Sequence, residues 1–375
     1  RKEIMPMHKL EISPSVEQEC KKYKDRLTMS SGEFSCKKDL KWLRDEINNG
    51  NAKAINTKTR GKKKLRPKDK SKYVQYLDVI LSEYENLLVC KPDVFPAYER
   101  TFNGILGTDD LKIKIQYNKP KITKKGTTYT KAKVRFYELI VELMDYSKVQ
   151  STVFPTVLEN LNIKTCVYCN AQFAIAADET TALYQLDHCL PKSTHPYLCT
   201  SFYNLQPSCG SCNQRKSSTD IRFGTNKEYT LSMWQIPTDP VHEDFFNFHI
   251  DDTQLAKYLS ASRVHDPKML TLQYLQRSSA TQEEKDLLAK VEKTFHITDL
   301  YNKQLDIVEE TVWRYRIYSR GYMRSLNNAM NNLFPDMKGQ VRRLVLGTYE
   351  GEENTYRRPM TKMIHDIVKQ ISAKP

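Results

Sequence analysis

Four cysteines in two closely spaced pairs are the strongest chemical signal in this 375-residue sequence. Cys166 and Cys169 form one CxxC pair, and Cys209 and Cys212 form a second after residues 170–208, a gap of 39. Each CxxC turn can point two thiolates at one ion, so two turns supply the four soft ligands of a tetrahedral structural zinc. The alternative is a chance pairing of buried cysteines, which two such turns argue against. The gap is longer than in a simple zinc ribbon and predicts an insert.

The insert and the residues after it carry polar groups in a specific order. Asp187-His188 and Asn204-Leu205 lie in the insert, and Asn213, Arg215 and Lys216 follow the fourth cysteine. The order CxxC, Asp-His, Asn-Leu, CxxCN and Lys resembles the zinc-stapled kind of HNH endonuclease. This resemblance implies a ββα-metal fold, in which a hairpin followed by a helix grips one divalent cation.

The resemblance also implies a role for each of these residues. His188 matches the general base that deprotonates the attacking water, and Asp187 matches the carboxylate that binds the catalytic cation. Asn204 matches the central Asn, which holds the hairpin loop through hydrogen bonds. Asn213 stands where many members have a final His, and its side-chain oxygen can bind a hard cation. Oxygen ligands from Asp and Asn favour Mg²⁺ or Mn²⁺ over zinc at this second site.

The chemistry of phosphodiester cleavage agrees with these roles. A histidine titrates near neutral pH and can activate the water. One metal ion can neutralise charge at the phosphate and assist the leaving oxygen. Asn213 and Lys216 are three apart on a predicted helix and share a face, so Lys216 is expected to contact a phosphate near the metal. Lys192 and Arg215 are further candidates for phosphate contacts.

The adjacent positions of Asp187 and His188 pose a geometric problem. Neighbouring residues of a regular strand face opposite sides, so both side chains can face one cation only if the strand ends or twists there. Pro191, just beyond, is consistent with a strand end.

Positive charge is concentrated in the first part of the chain. Residues 1–150 hold 33 Lys and Arg against 20 Asp and Glu, whereas residues 151–375 hold 26 against 25, and the whole chain carries +14. This asymmetry indicates a polyanionic partner, although a solvated basic surface would have the same composition. The densest run, Lys58–Lys72, is expected to be a loop or mobile arm. Its candidates for nucleic-acid contacts are Lys62, Lys63 and Lys64.

The elements around this chemistry are predicted to be mainly helical. Tyr73–Cys90 has an apolar stripe at helical spacing, and residues 134–149 return to that spacing. Residues 111–135 favour a two-stranded ribbon that turns at Lys119-Pro120 or at Lys125-Gly126.

The fold class predicted from these patterns is α+β. A basic, mainly helical region is expected at 1–150, an HNH core with the zinc site at 151–225, and a helical region at 226–375. In the last region the expected helix over residues 300–333 has four aromatic side chains facing inward. These are Trp313, Tyr315, Tyr318 and Tyr322.

Composition disfavours several other classes of protein. No run of 18 apolar residues is present, so no transmembrane helix and no membrane association are expected. Glycine is scarce, at 12 residues, and neither a GxGxxG nor a Walker A sequence occurs. The nine cysteines lack the density of a disulfide scaffold, and no secretory signal is recognised, so a reducing cytoplasm is expected.

A second resemblance lies near the C-terminus. Leu346-Gly347-Thr348-Tyr349 and Arg357-Arg358-Pro359-Met360-Thr361-Lys362 are similar to the tail of larger bacterial HNH proteins of phage defence, including Septu-type effectors. Such nucleases are often paired with an ATPase of the ABC or SMC-like kind. Because this chain has no nucleotide motif of its own, a separate ATPase partner is expected.

The predicted function is therefore metal-dependent endonucleolytic cleavage of nucleic acid, with DNA as the substrate and defence or restriction as the biology. Two alternatives stay open. One is a non-catalytic zinc module that binds nucleic acid or protein, which would not need Asp187, His188 and Asn213. The other is a nuclease that cuts RNA or tRNA.

Overall fold

The computed structural model of the chain describes residues 10–29, 32–55, 67–123, 126–178, 181–220, 222–223, 229–230, 232–235, 246–260, 266–318, 320–333 and 340–373. One continuous core of buried apolar side chains extends through these ranges from Ile12 to Val368. This core crosses the region boundaries predicted at residues 150 and 225, which stay predictions. None of the helices in the described ranges combines the length and apolar character that crossing a membrane requires.

Helices dominate the N-terminal part of the described chain. They are Pro14–Thr28 (α1), Cys36–Asn48 (α2), Pro67–Leu88 (α3), Phe95–Ile105 (α4), Thr108–Leu111 (α5), Phe136–Leu143 (α6), Tyr146–Lys148 (α7) and Phe154–Asn160 (α8). A π-helical turn, Val149–Val153, joins the last two. The ring of Phe102 in α4 stacks on Tyr197 with 3.7 Å between centroids, and Tyr23 in α1 donates a hydrogen bond to the carbonyl of Thr200 at 2.7 Å. These contacts hold residues 197–200, which adjoin the candidate site.

The strands of the described chain are short except for one pair. They are Leu10–Glu11 (β1), Lys53–Ile55 (β2), Lys114–Thr123 (β3), Gly126–Arg135 (β4), Gln185–His188 (β5), Leu205–Ser208 (β6), Arg222–Phe223 (β7), Tyr229–Thr230 (β8), Trp234–Gln235 (β9), Phe246–Ile250 (β10) and Leu272–Gln276 (β11). β2, β3 and β4 form an antiparallel sheet, β1 and β9 pair in parallel, and β5-β6, β7-β8 and β10-β11 are antiparallel pairs.

The ribbon predicted over residues 111–135 is confirmed by β3 and β4. The pairing runs from Lys114 opposite Arg135 to Thr123 opposite Gly126, so the strands turn at the second of the two predicted positions. The helix predicted to begin at residue 134 begins at Phe136 instead. Val134 belongs to the sheet, because it pairs with Ile115.

The basic run predicted as a loop is partly helical. The apolar stripe predicted from Tyr73 does lie on α3, but this helix already begins at Pro67 and therefore includes Lys70 and Lys72. Proline is favourable in a first helical turn, because its missing N–H would have no partner there. Lys62, Lys63 and Lys64 lie outside the described residues.

Helices also dominate the C-terminal part of the described chain. They are Asp252–Ser260 (α10), Gln282–Phe295 (α11), Ile297–Tyr301 (α12), Leu305–Ile317 (α13), Arg320–Leu333 (α14), Val341–Leu346 (α15) and Thr361–Ser372 (α16). The single helix predicted over residues 300–333 is wrong, because the backbone leaves helical geometry at Gln304 and again at Tyr318. These breaks change which face points inward. Trp313 and Tyr315 are half-buried, whereas Tyr322 in α14 is 54% exposed.

Candidate active site

The four cysteines of the two CxxC turns meet in the structure. Their Sγ atoms all lie within 4.8 Å of one another, and all four side chains are buried. Four thiolates that each lie about 2.3 Å from a zinc ion stand about 3.8 Å apart in a tetrahedron. Cys166, Cys169, Cys209 and Cys212 therefore fit a structural zinc, and the predicted four-cysteine cluster is confirmed.

Backbone contacts shape each cysteine turn. Asn170, which has a left-handed φ of 48°, donates its backbone N–H to the carbonyl of Cys166 at 2.9 Å and closes the first turn. The second turn is the start of helix α9, Gly210–Lys216, whose first turn contains Cys212. The N–H of Val167 donates to the carbonyl of Pro207 in β6 at 3.1 Å. A zinc bound here would therefore connect the β5-β6 hairpin to α9.

The insert between the turns forms the hairpin that the resemblance implies. In the antiparallel pair β5-β6, Asp187 lies opposite Gln206 and His188 lies opposite Leu205. The helix α9 begins two residues after β6 ends. Two strands followed by a helix give the ββα arrangement.

The carboxylate of Asp187 is buried and held from two sides. The hydroxyl of Tyr168 donates to its Oδ2 at 2.5 Å, and Nζ of Lys216 lies 3.1 Å from the same oxygen. Nε2 of Gln206 in turn donates to the Tyr168 hydroxyl at 3.0 Å. Burial, followed by the nearby Asp187, raises the pKa of Tyr168 well above its usual value, so it stays a neutral donor. These contacts fix the orientation of Asp187.

The imidazole of His188 is buried at the end of β5. Its Nε2 lies 3.0 Å from the carbonyl of Cys199, and its ring centroid lies 4.8 Å from that of Tyr146. A carbonyl can only accept, so Nε2 carries the proton and Nδ1 keeps its lone pair in the neutral ring. Burial, together with Lys192 and Lys216, lowers the pKa of His188 to about 3. His188 is therefore neutral at pH 7 and able to accept a proton at Nδ1.

The expected strand end is present, because β5 ends at His188. The two adjacent side chains nevertheless have different surroundings. Asp187 contacts Tyr168 and Lys216, whereas His188 contacts Tyr146 and the Cys199 carbonyl. Lys216 joins them, since its Nζ also donates to the backbone carbonyl of His188 at 2.8 Å.

Lys216 is placed differently from its predicted position at a phosphate. Its side chain is fully buried against Asp187, because this apolar interior provides a carboxylate and a carbonyl for its ammonium. Asn213, one turn earlier on α9, donates from Nδ2 to Oε1 of Gln185. Gln185 and Asp187 are two apart on β5 and so share a face. Carboxylate and amide oxygens, such as those of Asp187 and Asn213, are of the chemical type that Mg²⁺ and Mn²⁺ bind.

The remaining predicted site residues, Lys192, Arg215 and Asn204, each have different contacts. Nζ of Lys192 lies 4.4 Å from the ring centroid of Tyr146, the ring that also packs on His188. Arg215 donates from Nη1 to the carbonyl of Phe295 at 2.9 Å. Asn204 is fully buried, accepts from the N–H of Leu190 at 2.7 Å and donates to the carbonyls of Leu190 and Leu198. Its contacts are those that a loop-holding residue needs.

Three residues of this network were not singled out from the sequence. Tyr168 sits inside the first CxxC turn, where its type could have drawn attention. Gln206 becomes recognisable only once the register places it opposite Asp187. Tyr146, 42 positions before His188, has no signal in the local sequence, since the fold alone brings the rings together.

Comparison with known proteins agrees with this geometry. Residues 166–219 match the family model described as HNH endonuclease. Over 149 residues the chain is 27% identical to the Septu protein PtuB of Bacillus thuringiensis, an alignment that covers 40% of this chain and 52% of that protein. The chain thus spans about half the length of this curated relative. No solved structure gives a significant match.

The matched segment contains both cysteine turns, the β5-β6 hairpin and α9. The predicted resemblance is therefore confirmed: residues 166–219, called the HNH endonuclease domain below, match that family model and contain a four-cysteine cluster that could hold a metal ion.

Proposed function

We propose that this chain is a metal-dependent endonuclease that hydrolyses phosphodiester bonds of DNA. The observation that carries the proposal is the state of His188, whose Nε2 is held by the Cys199 carbonyl while Nδ1 keeps its lone pair. Asp187, held by Tyr168 and Lys216, is the next residue on the same strand. A zinc module that only binds nucleic acid would need neither arrangement.

In the proposed reaction, Nδ1 of His188 accepts a proton from the attacking water. The Nε2–H donor bond to Cys199 fixes the ring and stabilises the imidazolium that forms, because a charged donor makes the stronger hydrogen bond. Burial lowers the pKa of His188, so the ring is neutral and its Nδ1 is unprotonated before the reaction. The ammonium of Lys192, which lies 4.4 Å from the Tyr146 ring centroid, supplies positive charge for the substrate phosphate.

The catalytic cation, Mg²⁺ or Mn²⁺, would be held by Asp187 and Asn213. When bound, such a cation stabilises negative charge on the phosphate and on the leaving oxygen. Tyr168 and Lys216 orient the carboxylate of Asp187 in advance, as residues behind metal ligands commonly do. Lys216 also limits the net charge of this buried site.

DNA is proposed as the substrate because the chain has a strongly basic first part. Lys62, Lys63 and Lys64 are proposed to contact its backbone, and Arg215 and Lys192 to contact it near the domain. Cleavage of RNA or tRNA is the alternative, since the proposed chemistry does not involve the sugar 2′ position.

Purified protein is expected to nick supercoiled plasmid when Mg²⁺ or Mn²⁺ is present, and EDTA is expected to stop the reaction. Without the cation, the carboxylate and amide oxygens cannot neutralise charge on the phosphate. Duplex DNA, single-stranded DNA and tRNA, incubated in parallel, identify the substrate. Cleavage of tRNA alone would replace DNA by RNA. Binding without cleavage of any of them would favour the non-catalytic zinc module.

A role in bacterial phage defence, in the cytoplasm, is proposed from the similarity to a Septu protein. A separate ATPase of the ABC or SMC-like kind is proposed as a partner, because the sequence has no Walker A motif. We expect such an ATPase to co-purify with the tagged chain from its native host, as detected by mass spectrometry. Recovery of no ATP-binding protein, with full and regulated nuclease activity of the isolated chain, would count against it.

A further inference from the structure

Three arginines surround one tyrosine in the C-terminal part of the chain. The guanidinium carbons of Arg343, Arg357 and Arg358 lie 5.1, 5.2 and 5.4 Å from the ring centroid of Tyr349. Arg343 comes from α15, Arg357 from the 3₁₀ turn Glu352–Arg357, and Arg358 from the residue after that turn. We refer to these three arginines and Tyr349 as the arginine cluster.

The segment between Tyr349 and Arg357 also contains three acidic residues, Glu350, Glu352 and Glu353. Among the ion pairs described between well-placed side chains, none joins Arg343, Arg357 or Arg358 to a carboxylate. The nearby Glu353 instead accepts a hydrogen bond from the side chain of Asn354 at 3.1 Å. Three like charges brought together around one ring repel one another, so an anion bound among them would lower that repulsion.

Unused hydrogen-bond donors point the same way. The Nε atoms of Arg343 and Arg357 are buried and have no acceptor in the described part of the chain. The aromatic ring attracts each guanidinium electrostatically, but it offers these N–H groups no oxygen acceptor. Arg358 donates from Nη1 to the carbonyl of Gly347 at 2.8 Å, which fixes its position. Guanidinium groups held on a ring present their donor edges in the fork geometry that suits phosphate oxygens.

The arginine cluster is attached to the HNH endonuclease domain through Asn170. Nδ2 of Asn170 donates to the carbonyl of Thr355 at 2.8 Å, and its backbone carbonyl accepts from the N–H of Met360 at 2.7 Å. Its Oδ1 accepts from the N–H of Lys362 at 3.1 Å. The chain on both sides of Arg357 and Arg358 is therefore fixed to the first cysteine turn.

We propose that the arginine cluster is a phosphate-binding site that holds the backbone of the nucleic-acid substrate outside the catalytic centre. The proposal rests on the proposed function for the identity of the ligand. A free nucleotide presents the same phosphate chemistry, and the experiment below separates the two sources. A backbone contact here would position the substrate without reading its sequence.

The test compares DNA binding by two variants that lose the same charge. Arg343→Gln/Arg357→Gln removes two cluster arginines. Lys285→Gln/Lys293→Gln is the charge-matched control on α11, where both lysine side chains are exposed. Fluorescence anisotropy of a labelled duplex over a series of salt concentrations measures affinity and salt slope. Because it needs no cleavage, a failure of the proposed nuclease activity would not affect the result.

The cluster variant is expected to bind about tenfold more weakly or worse, with a salt slope reduced by about two. The control is expected to change the slope far less. Arg343→Lys/Arg357→Lys keeps the positive charge but loses the two-pronged donor geometry of the guanidinium groups. We therefore expect an unchanged salt slope and a lower affinity for DNA. Equal slopes for the cluster variant and the control would overturn the proposal.

Two further measurements can also refute the proposal. If the double Gln variant does not fold, as judged by thermal melting and zinc content, Arg358→Gln is tested in its place, because Arg358 is exposed and expected to be tolerated. ATP and inorganic phosphate are titrated against wild type and the cluster variant. Saturable ATP binding that depends on the arginines, with an unchanged DNA slope, would overturn the nucleic-acid assignment.

Discussion

Replacing Cys212 by serine is expected to unfold the HNH endonuclease domain. Zinc binding supplies about 10–16 kcal/mol in small zinc modules, whereas a whole domain is stable by only about 5–15 kcal/mol. The hairpin β5-β6 has just four residues in each strand, and apart from a zinc α9 is held mainly by side-chain contacts of Asn213, Arg215 and Lys216. Loss of one of four thiolate ligands therefore removes a large share of the stability of residues 166–219.

The expected result is loss of zinc and of the cooperative melting transition in Cys212→Ser, with about one zinc per chain in the parent. Metal analysis and thermal melting by circular dichroism measure both. Cys20→Ser is the matched control, because Cys20 is an equally buried thiol outside the four-cysteine cluster. A soluble, freshly purified parent without zinc, or a Cys212→Ser variant that melts like the control, would contradict the zinc site.

The structure also explains why loss of zinc should disturb the chemistry. Tyr168, which donates to Asp187, lies between the ligands Cys166 and Cys169. Lys216, the other partner of Asp187, lies on the helix that contains Cys212. Both contacts of the carboxylate therefore originate in elements that the zinc would fix.

The parts of the site that could be predicted are those with fixed local geometry. Two CxxC turns must each present two thiols, so their meeting followed from spacing, whereas the ββα unit was implied by the resemblance to HNH endonucleases. The buried position of Lys216 was not predictable. The helical period of α9 indicates on which side of the helix Lys216 lies, but it does not indicate which residues pack against that side. The surroundings of His188 depend on Tyr146 and Cys199, which reach it only through the tertiary fold.

The same distinction holds for the rest of the fold. The apolar stripe of α3 and the β3-β4 ribbon follow from local periodicity and were predicted. The only helix-end residues near the breaks at Gln304 and Tyr318 are Asn302 and Gly321, which are weak signals without a proline. The docking of Thr355 and Met360 on Asn170 joins residues 185 and 190 positions apart, which no local pattern reveals.

His188→Ala is expected to abolish most cleavage while leaving the fold, the zinc and DNA binding in place. Loss of a general base costs about 10²–10⁴ in rate, and no other imidazole contacts the Cys199 carbonyl in the described structure. His195→Ala is the matched control. Both histidines are 4% exposed, but His195 pairs with Glu99 and Thr194 rather than facing the site.

Asp187→Ala and Asn213→Ala are expected to weaken the catalytic cation instead, so raised Mg²⁺ or Mn²⁺ should partly restore their activity. Raised metal should not restore His188→Ala to the same degree, because its defect lies in proton transfer. This contrast separates the base from the metal ligands.

The role of His188 as the base is tested most directly by the rate of plasmid cleavage. The rates of His188→Ala, the parent and His195→Ala are compared in Mg²⁺ and in Mn²⁺, and the zinc content of each protein is measured. We expect the cleavage rate to fall by a factor of about 10²–10⁴ for His188→Ala alone, with either metal. Cleavage by His188→Ala at the parental rate would contradict this role, because His188 could then not be the base.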